Sequence, residues 1–236
     1  MIQASASPRE EAAPHVVSFY DLGRIRYESA WILQRKLHAA RAADEISDAL
    51  LFCEHEPVIT MGKSGQTQNL LVSKDELKRR GIDYFEVERG GDLTYHGPGQ
   101  LVGYPIFKLP RLREVQGFVR KMESAIIATL QAFGIEGERR SDHPGVFVGG
   151  AKIASIGAAV RSGVTFHGFA LDVRTDLNAF QAINPCGMPT VAVTSMAQAS
   201  GHDISVQEVE PLMLQSLEAA YEISCTRQPQ PAAESA

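Results

Sequence analysis

The sequence predicts an α+β domain in which a mixed, largely antiparallel sheet is flanked by helices. Between Gly145 and Val173, apolar runs are separated by the turns Gly149-Gly150 and Ser162-Gly163, the punctuation of antiparallel hairpins. Leu112 to Phe133 and Ser205 to Tyr221 carry apolar residues at helical spacing. Strands come in runs broken by a few long helices rather than in strict alternation, which argues against a doubly wound parallel sheet.

In chain order, Val16 to Tyr20 predicts a first strand, and Arg24 to about Ala43 a helix with Trp31, Leu33 and Leu37 on its apolar side. Ala49 to Cys53 and Pro57 to Met61 predict short strands, followed by a polar loop from Gly62 to Gln68. Ser73 and Glu76 have capping-box spacing and open a helix that ends near Gly81. Asp83 to Val87 predicts a strand, Arg89 to Gln100 a glycine-rich loop, and Leu101 to Phe107 a further strand. The helix from Leu112 is closed by Gly134, whereas Gly145 to Val148, Ala151 to Val160 and Val164 to Val173 predict three antiparallel strands. A helical piece near Asp176 to Ala179, a loop from Asn184 to Pro189 and a helix boxed by Ser205 and Glu208 complete one domain over residues 16–222. Residues 1–15 and 226–236 are expected to be flexible tails.

The bulk properties exclude several classes. A hydrophobic fraction of 44% supports a packed core, and no apolar run reaches membrane-spanning length. Met1 to Pro14 lacks the apolar stretch of a secretory signal, so a cytoplasmic protein with reduced thiols is expected. A net charge of -5 argues against general nucleic-acid binding. Two basic clusters, Arg24, Arg26, Arg35 and Lys36, then Lys78, Arg79 and Arg80, are either solvated faces or docking points for an acidic partner. His96 has only His55 and His143 near it in sequence, neither at ligand spacing, so no metal is expected.

Three cysteines differ sharply in setting. Cys53 follows Leu50, Leu51 and Phe52 in an apolar strand and predicts a core thiol, while Cys225 sits beside a polar tail with nothing to activate it. Cys186, bracketed as Asn184-Pro185-Cys186-Gly187-Met188-Pro189, lies in a stiff loop without a core pattern and is either an inert loop thiol or a rigidly presented nucleophile. Lys152 stands among small apolar residues and shares a strand face with Ala154 and Ile156. It is either an edge lysine that blocks aggregation or an enclosed ammonium able to depress the pKa of a nearby thiol. The run Arg89-Gly90-Gly91-Asp92-Leu93-Thr94-Tyr95-His96-Gly97-Pro98-Gly99-Gln100 can bring backbone N–H groups close to a ligand oxygen, but lacks the spacing of a P-loop or dinucleotide fingerprint. His167, in an apolar strand, is open to a structural or a site role.

Together RGGDLTYHGPGQLVGYP, HPGVFVGGAKIASIG, VTFHGFALDVRTDL and INPCG, in that order, resemble the lipoyl(octanoyl) transferases, and the resemblance runs over about residues 16 to 222. Phe147 stands where tryptophan is frequent, and Asp172 where asparagine is common. The resemblance implies a fold related to the catalytic domains of biotin and lipoate ligases. It implies transfer of octanoate from octanoyl-acyl carrier protein to lysines of lipoyl domains in 2-oxoacid dehydrogenases and of the glycine cleavage H protein. It also implies that Cys186 carries the acyl group as a thioester, that Lys152 moves protons, and that no cofactor is used. Arg89 to His96, Ser155, Ile156, Gly157, Gly168, Phe169 and Ala170 would line the substrate site. An ATP-dependent ligase on the same fold and a non-catalytic carrier-binding module are the alternatives.

Overall fold

The computed structural model describes residues 15–230 apart from 142 and 185–190, so Cys186 lies outside the described residues. Among the described residues no helix is long and apolar enough to cross a membrane. The described residues open with β1 (His15–Ile25), which sends Val17 and Phe19 into the core, and α1 (Tyr27–Ala42). After β2 (Ala49–His55) and β3 (Val58–Met61) comes α2 (Lys74–Arg79), whose N–H at Glu76 donates to the Ser73 hydroxyl. Only half of the expected capping box forms there, because the Glu76 carboxylate turns instead to Arg79 and Arg80.

Next are β4 (Asp83–Glu86), β5 (Leu93–His96) and β6 (Gln100–Ile106). The expected loop from Arg89 to Gln100 therefore contains a strand. Leu93 and Tyr95 supply the alternating apolar side chains that let β5 pair antiparallel with β3 in a small sheet ordered β4-β3-β5.

The long helix α3 (Val115–Ala132) leads to β7 (Glu138–Arg139), β8 (Gly145–Val148) and β9 (Ala151–Ile156). Then follow β10 (Ala159–Arg161), β11 (Val164–Phe166) and β12 (Phe169–Asp172). The two long strands expected here are each broken, at Gly157-Ala158 and at His167-Gly168, where His167 adopts a φ of 56°. The breaks face each other, for the Gly157 N–H donates to Gly168 O at 2.8 Å, and beyond them β10 and β11 form a separate hairpin. The last elements among the described residues are α4 (Met196–Ser200), α5 (Val206–Tyr221), which has both halves of its Ser205/Glu208 box, and β13 (Ile223–Arg227).

The main sheet runs β13-β1-β2-β6-β12-β9-β8-β7, parallel across its first two pairings and antiparallel across the rest. Thr226 and Arg227, expected in a flexible tail, belong to its edge strand. Hydrogen bonding to β1 and inward packing of Ile223 and Cys225 outweigh the polar tail sequence. Alternation along β2 divides the core, with Leu50 and Phe52 meeting α3 and α5 while Leu51 and Cys53 meet α1. Met122, Ile126 and Leu130 of α3 pack with Val209, Met213 and Leu217 of α5, each apolar side chain contributing roughly 1.5–3 kcal/mol.

Candidate active site

Two cavities meet where the strands break. A tight slot of about 40 Å³ free volume and an open cleft of about 550 Å³ share Gly90, Gly91, Ile156 and Gly157. These residues form a neck made largely of backbone. A Cβ on Gly157 would stand 3.2 Å from Gly90 O and 3.2 Å from Arg89 Cδ, so a side chain there would crowd the passage.

Beyond the neck, the expected residues Leu93, Thr94 and His96 of β5 line the slot, as do Ser155 of β9 and Gly168, Phe169 and Ala170 at the start of β12. Phe169 lies over Gly103, where any Cβ would fall 2.2 Å from its ring. Tyr27, Val102, Tyr104 and His167 complete the wall. Sequence reasoning did not assign Tyr27, Val102 or Tyr104 to the site, since each sits in an ordinary helix or strand pattern. His167 gave a signal, a histidine beside glycine in an apolar run, and its left-handed backbone is the physical counterpart.

Three residues of the expected loop act differently from a simple ligand wall. Arg89 lines the slot, but its guanidinium donates to Thr60 Oγ1 at 3.0 Å, to Thr60 O at 2.6 Å and to Gly90 O at 2.9 Å, which fixes the loop. Asp92 faces the cleft alone, accepting from Gln66 N at 3.0 Å and from the Asn69 amide. Tyr95 lines neither cavity. Alternation along β5 carries it away from Thr94 and His96 and onto the edge of Phe180, 5.6 Å between ring centres.

Buried hydrogen bonds set the polar end of the slot. Gln100 Nε2 donates to Tyr95 O at 3.1 Å and to Asp172 Oδ1 at 2.8 Å, which leaves its Oε1 to accept from His96 Nδ1 at 2.7 Å. His96 is thereby fixed with its proton on Nδ1. His55 Nδ1 donates to Ile25 O at 3.0 Å, and its Nε2 accepts from the Tyr104 hydroxyl at 2.6 Å. Desolvation lowers His55 to about 4 and His96 to about 3, with repulsion from His55 as the next cause for His96. Desolvation likewise lowers His167 to about 3, and pushes Asp172 up to about 7.

Lys152 lies in the cleft on β9, between β12 and β8, so it is an interior lysine rather than an edge one. Only 4% of its surface is exposed. The β8–β9 register shifts between Val146 and Phe147, so Ile153 is an extra residue. This bulge breaks the expected alternation: Ile153 and Ala154 both enter the core, whereas Lys152 and Ile156 line the cleft. Its ammonium stands 5.7 Å from the centre of the Phe147 ring.

Both flanks of the Cys186 segment are tied to the cleft. Asn184 N donates to Asn69 O at 2.8 Å, while Lys152 N donates to Ala192 O at 2.8 Å and Thr194 N donates to Lys152 O at 2.9 Å. The other two thiols are unsuited to chemistry. Cys53 is buried and its pKa is raised by desolvation, and Cys225, half-buried on the edge strand, is pushed up to about 12 for the same reason. The basic clusters are largely answered by nearby acids, Arg24 by Glu56, Arg26 by Asp83, and both Arg79 and Arg80 by Glu76.

Residues 26–218 match the lipoyl protein ligase A/B catalytic domain. The chain is 48% identical to the octanoyltransferase of Dictyoglomus thermophilum, over 79% of this chain and 79% of that one. It is 52% identical to that of Solibacter usitatus over 80% and 85%, and 42% identical to that of Chloroflexus aggregans over 88% and 96%. Its fold is similar to that of a lipoate-protein ligase A bound with ATP, with a TM-score of 0.73 at 17% identity, covering 94% of this chain and 91% of that one. The bipartite lipoate protein ligase of Thermoplasma acidophilum gives a TM-score of 0.72 at 18% identity, covering 93% and 89%. On identities shared across most of its length, the chain belongs to the octanoyltransferase family and is an acyltransferase of protein lipoylation.

Proposed function

We propose that the enzyme takes an octanoyl group from octanoyl-acyl carrier protein onto Cys186 and passes it to a lysine of lipoyl domains, those of 2-oxoacid dehydrogenases and the glycine cleavage H protein, in the cytoplasm. The observation that carries this is the joining of a tight apolar slot, through a glycine neck, to a cleft that holds a buried lysine and both anchors of the Cys186 segment. Asn184 is two residues from Cys186, a reach of about 7 Å in extended chain.

In the proposed reaction the Cys186 thiolate attacks the donor's thioester carbonyl, and the carrier's sulfur leaves with the electron pair of the broken C–S bond. The acceptor's ε-amine then attacks the acyl-enzyme, forms the amide and expels the Cys186 thiolate. Lys152 as an ammonium favours the thiolate and protonates the departing carrier sulfur, then takes the proton that the acceptor amine sheds. Exchange of one thioester for another conserves activation, so no ATP enters. Each methylene that leaves water for the slot contributes about 0.8 kcal/mol, which favours a chain that fills it.

Incubation with octanoyl-acyl carrier protein should add one octanoyl group to the protein, reversibly by hydroxylamine, and Cys186→Ser should lose both adduct and transfer. An adduct that forms only with ATP and free octanoate would instead indicate a ligase.

A further inference from the structure

We infer that Glu123, a residue of α3 outside both cavities, is a positioning residue for Lys152, acting through the backbone of Gly145; this rests on the catalytic role proposed for Lys152. Glu123 is fully buried, an expensive place for a carboxylate. Its Oε1 accepts from Gly145 N at 3.1 Å, while its Oε2 accepts from Arg120 at 2.8 Å and lies 3.2 Å from Arg139 Nε. Joining α3 to the sheet would not by itself require a charge there, since apolar side chains do so along the rest of the interface.

Gly145 is what the carboxylate holds. It has a φ of 135°, and a Cβ on it would stand 2.9 Å from Lys152 Cε, 3.4 Å from Lys152 Nζ and 2.6 Å from Ala154 O. The bare α-carbon thus forms one wall of the lysine's seat, and the Phe147 ring lies near the ammonium as well. Gly145 precedes the bulge that turns Lys152 into the cleft. A tether on its N–H therefore sets how far the wall stands from the ammonium, and so where that charge sits relative to an incoming thioester.

Two substitutions separate reach from charge. Glu123→Gln keeps the length and one carbonyl oxygen; the buried Gly145 N–H claims it, because Arg120 and Arg139 are part-exposed and can turn to water. Glu123→Asp keeps the charge but retreats by one methylene from Gly145. With octanoyl-acyl carrier protein and a lipoyl domain as substrates, Glu123→Asp should lower kcat about tenfold, leave the donor KM within about twofold and shift the pH profile of kcat, whereas Glu123→Gln should keep kcat within about threefold. The inference is overturned if Glu123→Asp retains the parent kcat, if Glu123→Gln is as slow as Glu123→Asp, or if KM rises in step with the loss. Lys152→Ala, measured alongside, keeps the two ideas apart: full activity there would sink the role of the lysine itself, while inactivity there with an unaffected Glu123→Asp would sink only the tether.

Discussion

Asp172 and His96 are joined through a single amide, that of Gln100, which donates to the carboxyl at 2.8 Å and accepts from the imidazole at 2.7 Å. The arrangement turns the glycine-rich segment and β12 into one wall, and it decides which nitrogen of His96 carries the proton. Gln100→Leu would remove the bonds to three buried partners, Tyr95 O, Asp172 and His96, and should cost about 2–4 kcal/mol in urea unfolding. Asp172→Asn preserves the accepting oxygen and should cost less than about 1 kcal/mol. Equal losses for the two variants would show that the amide bridge contributes nothing special.

Acid should unfold this protein through its buried histidines. Burial lowers His55 to about 4, and His96 and His167 to about 3, while it raises Asp172 to about 7. Between about pH 4 and pH 6.5 the unfolded chain binds histidine protons that the folded chain refuses, so these groups favour folding as pH rises through that range. Asp172 works the other way, keeping a proton when folded that the unfolded chain releases above about pH 4. Near pH 5 the four groups together bring about two protons of net uptake on unfolding, a slope of roughly 2–3 kcal/mol per pH unit. Urea melts across that range test the slope, and Asp172→Asn should steepen it. A flat profile would contradict the burial of the three imidazoles as neutral groups.

The neck between slot and cleft should act as a gauge. Gly157→Val puts a branched side chain against Gly90 O and Arg89 Cδ, each already 3.2 Å from where a Cβ would begin. Transfer of octanoate should fall by about tenfold or more, a selectivity that one or two methyl groups in an apolar passage can impose. Acetyl transfer from the corresponding thioester should fall less, because a two-carbon chain need not enter the slot. A parallel loss with both donors would mean that the valine disturbs the reacting groups instead.

Thiol reactivity offers a check that needs no substrate. Cys53 is buried and Cys225 half-buried, and desolvation raises the pKa of both. Iodoacetamide near neutral pH should therefore modify Cys186 first, and prior loading with octanoyl-acyl carrier protein should protect it. Mass spectrometry of the labelled peptides would decide, and preferential labelling of Cys225 would contradict the assignment of reactivity.

The class of fold, the places of most strands and helices, and the cysteine and lysine to examine could be read from residue order, because these depend on local periodicity, turn residues and short motifs. Residue order also pointed to Leu93, Thr94, His96 and Phe169 in the slot, through a motif rather than through geometry. It took long-range packing to break two apparent strands opposite one another at Gly157 and His167, to turn Tyr95 away, and to close the wall with Tyr27, Val102 and Tyr104. That packing likewise drew Thr226 and Arg227 into an edge strand and set the fully buried Glu123 against Gly145. Local pattern records what each residue prefers. Where a strand bends or a carboxylate is buried depends on partners tens of residues away, whose hydrogen bonds and packing repay the local cost.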